Sequence, residues 1–177
     1  MSFLLEHAFE DLMVDQVFLR PGFYFSNWLI HAETARNEGI LPTFFPVDLP
    51  LHMISPLEVA REASRLMIAQ EPWTGTFELV AQGGPYTSQD VAEAYSALFG
   101  RKVEARQTPR DQWDEVLRKQ GLTPDAIRQF SRMSEIVAEG SVNPEGRHAV
   151  LIEGKTGISE YFEVVLGKGD SRKSWAA

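Results

Sequence analysis

The chain contains no cysteine. Disulfides, thiolate nucleophiles and cysteine-ligated zinc are therefore excluded, and a reducing, cytoplasmic setting is the expectation. Long apolar runs are missing too: nothing approaches the ~20 residues of a membrane span. The opening Met-Ser-Phe-Leu-Leu leads at once to Glu6 and His7, without the basic and apolar regions of a secretory signal. Positive charge is scarce. Seventeen Lys and Arg face 25 Asp and Glu, for a net charge of −8, and no basic cluster tracks a phosphate backbone, so neither nucleic acid nor membrane is an expected partner. His7, His31, His52 and His148 form no HExxH motif and no i,i+4 pair, so no metal site is expected. Ser26 and Ser88 lack the context of a nucleophile elbow, and no pair of carboxylates stands out for acid–base work, so no catalytic residue is assigned.

Phosphate-binding glycine patterns are missing as well. Gly154-Lys155-Thr156 contains GKT, but the pattern needs a glycine where Ala149 stands, so the segment reads as a turn before the last helix. Gly83-Gly84 and Gly167-Lys168-Gly169 each lack the third glycine of a dinucleotide fingerprint and read as turns and stops.

What remains is an ordinary globular composition, 44% hydrophobic and 24% charged over 177 residues, enough for one domain or slightly more. Helix starts are plainly written. Ser55-Pro56-Leu57-Glu58 supplies a cap, a proline at the first helical position and a glutamate behind it. Thr87 with Asp90, Thr108-Pro109 and Thr123-Pro124 repeat the device, and Gly100, Gly121 and Gly140 stop the helices that follow. A further helix is predicted over 158–166. Strands are predicted over 14–19, 51–54, 76–81 and 102–106, and the proline-rich segment 39–50 reads as a loop.

Alternation of helices with short strands predicts an α/β fold. The opening order, an amphipathic helix, an apolar strand and then Arg20-Pro21-Gly22, reads as a late crossover of a parallel sheet rather than its start. A soft boundary near Glu71-Pro72 separates sheet-crossover elements in 1–70 from a more helical region in 71–170, with 168–177 as a frayed tail.

One constellation stands out, Arg20-Pro21-Gly22-Phe23-Tyr24-Phe25-Ser26-Asn27. It lies where a strand hands over to a helix at its carboxyl end, the place where open α/β sheets bind ligands. Gly22 permits close backbone approach, Phe23 and Phe25 offer apolar walls, and Asn27 carries a donor and an acceptor. A tight turn followed by ordinary helix packing is the other reading of these residues.

LRPGFYFSNWL resembles the strand–turn–helix motif, roughly LRPGFFxEN, of NmrA-like proteins, an atypical branch of the short-chain dehydrogenase/reductase superfamily. LPLHMISPLEVAREASRLM, WTGTFELVAQGGPYTSQDVAEAYSALFGRKVEA and PRDQWDEVLRKQG follow in the family's order and spacing. The resemblance covers nearly all of this chain but only the C-terminal portion of a full-length member. It implies the later part of an NAD(P)-binding Rossmann-like fold, short parallel strands with crossover helices, plus a mainly helical substrate-side region. It also implies NAD(P)H-dependent oxidoreductase or redox-sensor ancestry. Pro21, Gly22 and Phe23 are then expected at the nicotinamide end of the cofactor, with Phe25, Asn27, Phe44 and Phe45 bordering the substrate cleft.

Ser26 replaces the motif's glutamate, and Glu58 stands where aspartate is typical. None of Tyr24, Tyr86, Tyr95 and Tyr161 has a lysine four residues on, so the superfamily's tyrosine–lysine proton relay cannot be drawn. Without a glycine-rich turn for the diphosphate, weak or absent NAD(P)H binding and no autonomous turnover are expected of this chain. The alternative function is a non-catalytic interaction module that pairs through its sheet edge with a second copy or a partner chain.

Overall fold

A computed structural model describes residues 2–9, 11–69, 73–140, 142–144, 146 and 148–167. In chain order the elements are α1 (Ser2–Phe9), β1 (Val17–Pro21), β2 (Phe23–Tyr24), a 3-10 helix (Phe25–His31), α2 (Ala32–Glu38), β3 (Ile40–Thr43), β4 (Met53–Ile54) and α3 (Pro56–Met67). There follow β5 (Gly75–Ala81), α4 (Ser88–Phe99), β6 (Glu104–Gln107), a 3-10 turn (Arg110–Gln112), α5 (Trp113–Lys119), α6 (Pro124–Ala138), β7 (Ala149–Gly154) and α7 (Ile158–Leu166). The strands form one three-stranded sheet of order β1-β5-β7 and two pairs, β2-β4 and β3-β6. Every one of these ladders is parallel, which forces crossover connections and makes the fold α/β, as expected.

The three-stranded sheet takes β1 from before residue 70 and β5 and β7 from after it. Residues 70–72, around the expected soft boundary, and 168–177, the expected frayed tail, lie outside the described residues. Among the described residues no helix is long and apolar enough to cross a membrane.

Helix starts follow their sequence signals. Ser55 Oγ accepts from Leu57 N–H at 3.2 Å. Thr87 and Asp90 form a reciprocal capping box, with bonds of 2.7 and 3.2 Å. Thr123 Oγ1 accepts from Ala126 N–H at 3.3 Å. The helix expected from Thr108-Pro109 starts later, as α5 at Trp113, because Thr108 N–H is bound to Thr43 C=O at the end of the β3–β6 ladder.

Strands depart further from expectation. The strand expected over 14–19 lies at Val17–Pro21; Val14, cut off by Asp15 and Gln16, is left 64% exposed. The segment 39–50, expected as a loop, contains β3. Gly39 C=O accepts from Glu104 N–H of β6 and Thr43 C=O from Thr108 N–H just beyond it, so the alternation turns Pro42 away from its partner, and its missing N–H costs no ladder bond. β7 was not anticipated: of its six residues only Gly154 is buried, so it is held by its ladder with β5 rather than by an apolar face.

The core gathers on the α4–α7 side. Tyr95 stacks on Phe162 at 4.3 Å between ring centroids and donates its hydroxyl to Trp28 C=O at 2.8 Å. Burial raises the Tyr95 pKa, so the phenol stays protonated and remains a donor. Phe25, fully buried, packs against Tyr86 and Tyr161 at 5.6 Å from each.

Two consequences are measurable. Phe162→Ala removes a fully buried ring and should lower unfolding stability by about 3–5 kcal/mol, whereas Tyr95→Phe should cost only about 1 kcal/mol; urea unfolding that ranks them the other way refutes this core assignment. His31, at the end of the 3-10 helix, has its pKa pushed below the ordinary 6.5 by burial. On acidification the unfolded chain then takes up this proton first, so stability is full above about pH 6.5 and declines below it. His31→Gln should flatten that decline, and melting curves with unchanged pH dependence would contradict it.

Candidate functional site

The carboxyl end of β1 is where the chain changes partners. Gln16 C=O accepts from Gly75 N–H and Gly22 N–H donates to Leu79 C=O, both at 2.9 Å, which ties β1 to β5 at both ends. One residue later Phe23 N–H donates to His52 C=O at 2.7 Å, and β2 continues in register with β4. A single extended run thus passes from β5 to β4 across the Gly22–Phe23 peptide.

Glycine is required here by proximity. A Cβ on residue 22 would lie 2.4 Å from the His52 carbonyl oxygen and 2.9 Å from its carbon. Gly22 is not among the positive-φ glycines, so it serves close approach rather than an unusual turn.

A cleft of about 400 Å³ opens at this exchange point, within the usual range of ~300–1000 Å³ for ligand sites. Its walls are residues 20–23, Leu51, His52, residues 78–80, Val137 at the end of α6, and residues 142–144. Pro21, Phe23, Leu79, Val80, Val137 and Val142 make the lining largely apolar, while Arg20, His52, Glu78 and Asn143 supply polarity. Arg20 donates Nε and Nη2 to the two carboxylate oxygens of Glu6 on α1, at 2.9 and 2.6 Å. The same bonds hold the Glu6 carboxyl below the usual carboxylate range. Glu78 is 5% exposed, stands in register with Arg20, and accepts from Gly146 N–H at 3.2 Å.

The structure brings Pro21, Gly22 and Phe23 together on the cleft wall. It does not place Phe25, Asn27, Phe44 or Phe45 there. Phe25 and Phe45 are buried in the core, because the 3-10 helix turns Phe25 and Trp28 inward as a pair three residues apart. Phe45 meets the Phe23 ring edge-on at 5.8 Å, so it backs the cleft wall rather than forming it. Phe44 packs on Trp113 and Phe130 at 5.2 and 5.5 Å, anchoring the α5–α6 hairpin. Asn27 is exposed on the 3-10 helix.

Sequence reasoning missed Glu78, His52 and the far wall. Glu78 had a readable signal, an acid within the otherwise apolar Phe77–Ala81 part of β5. The far wall had none, since Val137 reads as an ordinary apolar position of α6.

The helix N-termini bear on anion binding. Glu33, Glu58, Asp90, Asp114 with Glu115, Asp125 and Glu160 lie in the first turns of α2 to α7. Each positive helix end is thus already met by a carboxylate, which repels phosphate. Among the described residues no group of three or more His, Asp or Glu gathers where a metal ion could sit.

No family model and no curated protein matches the chain. Solved structures do. An NADPH-dependent quinone oxidoreductase from Escherichia coli matches with a TM-score of 0.73 at 16% identity, over 93% of this chain and 60% of that one. Its complex with NADPH gives 0.71. A triphenylmethane reductase from Citrobacter sp., complexed with NADP(H), matches at 0.71 and 17% identity, over 92% of this chain and 57% of that one. A nucleoside-diphosphate-sugar epimerase from Staphylococcus aureus matches at 0.62 and 14% identity, over 96% and 53%. At such identities the likeness establishes the fold alone: the mixed α/β, Rossmann-like fold of these proteins. The chain spans between 53% and 60% of their lengths.

Gly22→Ala tests the exchange point directly. Forcing a methyl against the His52 carbonyl should destabilise the fold by about 3 kcal/mol, read by chemical denaturation. A loss below about 1 kcal/mol would show that the strands part easily and that proximity is not the constraint.

Proposed function

We propose that this chain forms the nicotinamide-side wall and the substrate-side region of an NmrA-like NAD(P)H-dependent oxidoreductase or redox sensor. One observation carries the reading: the change of strand partners at Gly22 gathers Pro21, Gly22 and Phe23 at a largely apolar cleft. The shared fold supports it, since two of the matching enzymes were solved with NADPH or NADP(H).

Bound nicotinamide supplies or accepts a hydride, which requires an acceptor held near van der Waals contact. Pro21 and Phe23 give flat apolar surface for such a ring, and Gly22 lets it approach the backbone. His52 and Asn143 line the cleft with hydrogen-bonding groups. Phe45 holds the Phe23 ring from behind, and Phe44 anchors the hairpin that forms the far wall. In this reading the chain shapes the acceptor side and keeps it dry.

The fit ends at the nicotinamide. The acids at the helix starts leave no receptive N-terminus in α2 to α7 for a diphosphate, so grip on that group has to come from elsewhere. Titration of the purified chain with NADPH and NADH should therefore give a roughly millimolar Kd and no turnover. Backbone amide shifts should concentrate at Arg20, Gly22, Phe23 and His52. Shifts confined elsewhere would overturn the cleft assignment, and micromolar affinity would overturn the missing grip.

A further inference from the structure

Among the described residues β1 is paired on one side only. The bonds at Gln16 and Gly22 set its phase: residues 16, 18, 20 and 22 turn their polar backbone groups toward β5, so Val17, Leu19 and Pro21 turn theirs outward. Pro21 has no N–H, so the free edge carries donors at Val17 and Leu19 alone. Native edges of this kind are usually blunted by lysine or inward charge; between Asp15 and Arg20 this one has Gln16, Val17, Phe18 and Leu19. The opposite edge strand, β7, pairs its Gly154 side with β5, which sets the charged Glu153 in its outward row.

A second recess of about 550 Å³ runs along the free edge of β1, lined by Val17 and Leu19 and, from the α3 side, by Leu66, Met67 and Trp73. Among the described residues that line it, Asp15 alone is charged. Beside it stand Met13, Met67 and Ile68, which are 100%, 85% and 82% exposed. Recess and protrusions therefore lie side by side on one chain.

We propose that this face binds a second copy of the chain, the two β1 strands meeting antiparallel about a two-fold axis through Phe18. With Val17 of each copy opposite Leu19 of the other, the outward groups close four N–H···O=C bonds, and the missing Pro21 donor is not needed. The sheet then runs continuously through both copies. A two-fold axis normal to the sheet keeps both α3 helices on the same face, where Met67 and Ile68 of each copy approach the recess of the other. The apolar surface offered by Met13, Val14, Met67, Ile68, Trp73 and the recess is of the order of the ~800 Å² that each partner gives to a standard-size interface. The net charge of −8 opposes association, but among the described lining residues of the recess it is represented by Asp15 alone. Salt should therefore strengthen the pairing by screening repulsion between the rest of the two surfaces. None of this depends on nicotinamide binding at the cleft.

The test is sedimentation velocity of the full chain from roughly 1 to 100 μM, at low and high salt. A monomer–dimer equilibrium that tightens with salt is expected. The double variant Met67→Glu/Ile68→Glu changes two exposed positions and should raise the dimer Kd about tenfold or more while leaving the far-ultraviolet dichroism unchanged. Because the chain has no other cysteine, Phe18→Cys provides a single thiol at the axis, where Cα atoms of facing residues lie about 4.5 Å apart, within disulfide reach. Mild oxidation should give a dimer on a non-reducing gel. Should that variant fail to fold, the exposed double variant still decides. A wild-type monomer across the whole range overturns the proposal, whether or not a different polypeptide later proves to cover the face. So does a dimer indifferent to the double variant.

Discussion

The architecture turns on one crowded point, the passage of the Gly22–Phe23 peptide between the carbonyls of Leu79 and His52. Successive N–H groups of one run satisfy two different strands, so β4 and β5 are placed relative to each other by a segment two residues long. The crowding that excludes a side chain at residue 22 shows how closely both carbonyls approach the end of β1. The cleft opens where the run changes partners, the position at which open α/β sheets bind ligands.

The second tier of organisation is aromatic. Tyr95 joins α4 to α7 by stacking on Phe162 and to the 3-10 helix through the Trp28 carbonyl. Trp28 in turn stands 5.8 Å from Phe23, and Phe45 stands at the same distance on another side. The Phe23 ring at the cleft is thus braced by residues whose own positions are set by the core. Rigidity of the wall is a property of the packing behind it.

Legibility in the sequence followed the range of the interaction involved. Caps are local, and Ser55, Thr87 and Thr123 were readable because a hydroxyl two or three residues from its partner needs no knowledge of the rest of the chain. The α/β class and the turn at residues 20–23 were readable for the same reason. β3 was not, since a proline facing away from a partner looks the same in sequence as one facing toward it. β7 was not, because its stability resides in backbone bonds to a distant strand. At the site, Phe25 and Phe23 are equivalent as letters, and only the inward turn of the 3-10 helix separates a core ring from a wall residue. Glu78 announced itself as an anomaly, yet its partner Gly146 lies 68 residues away.

The far wall of the cleft has a mechanical character of its own. Val137 sits near the end of α6, seven residues beyond Phe130, and Phe130 with Trp113 and Phe44 forms the ring cluster on which the hairpin is seated. Seven residues of helix make a lever about 10 Å long, so a tilt of about 10° at the rings displaces the wall by roughly 2 Å. The width of the mouth is in this way geared to a pivot two helical turns away. Anything that reseats those three rings changes what the cleft can admit without touching a single group that lines it.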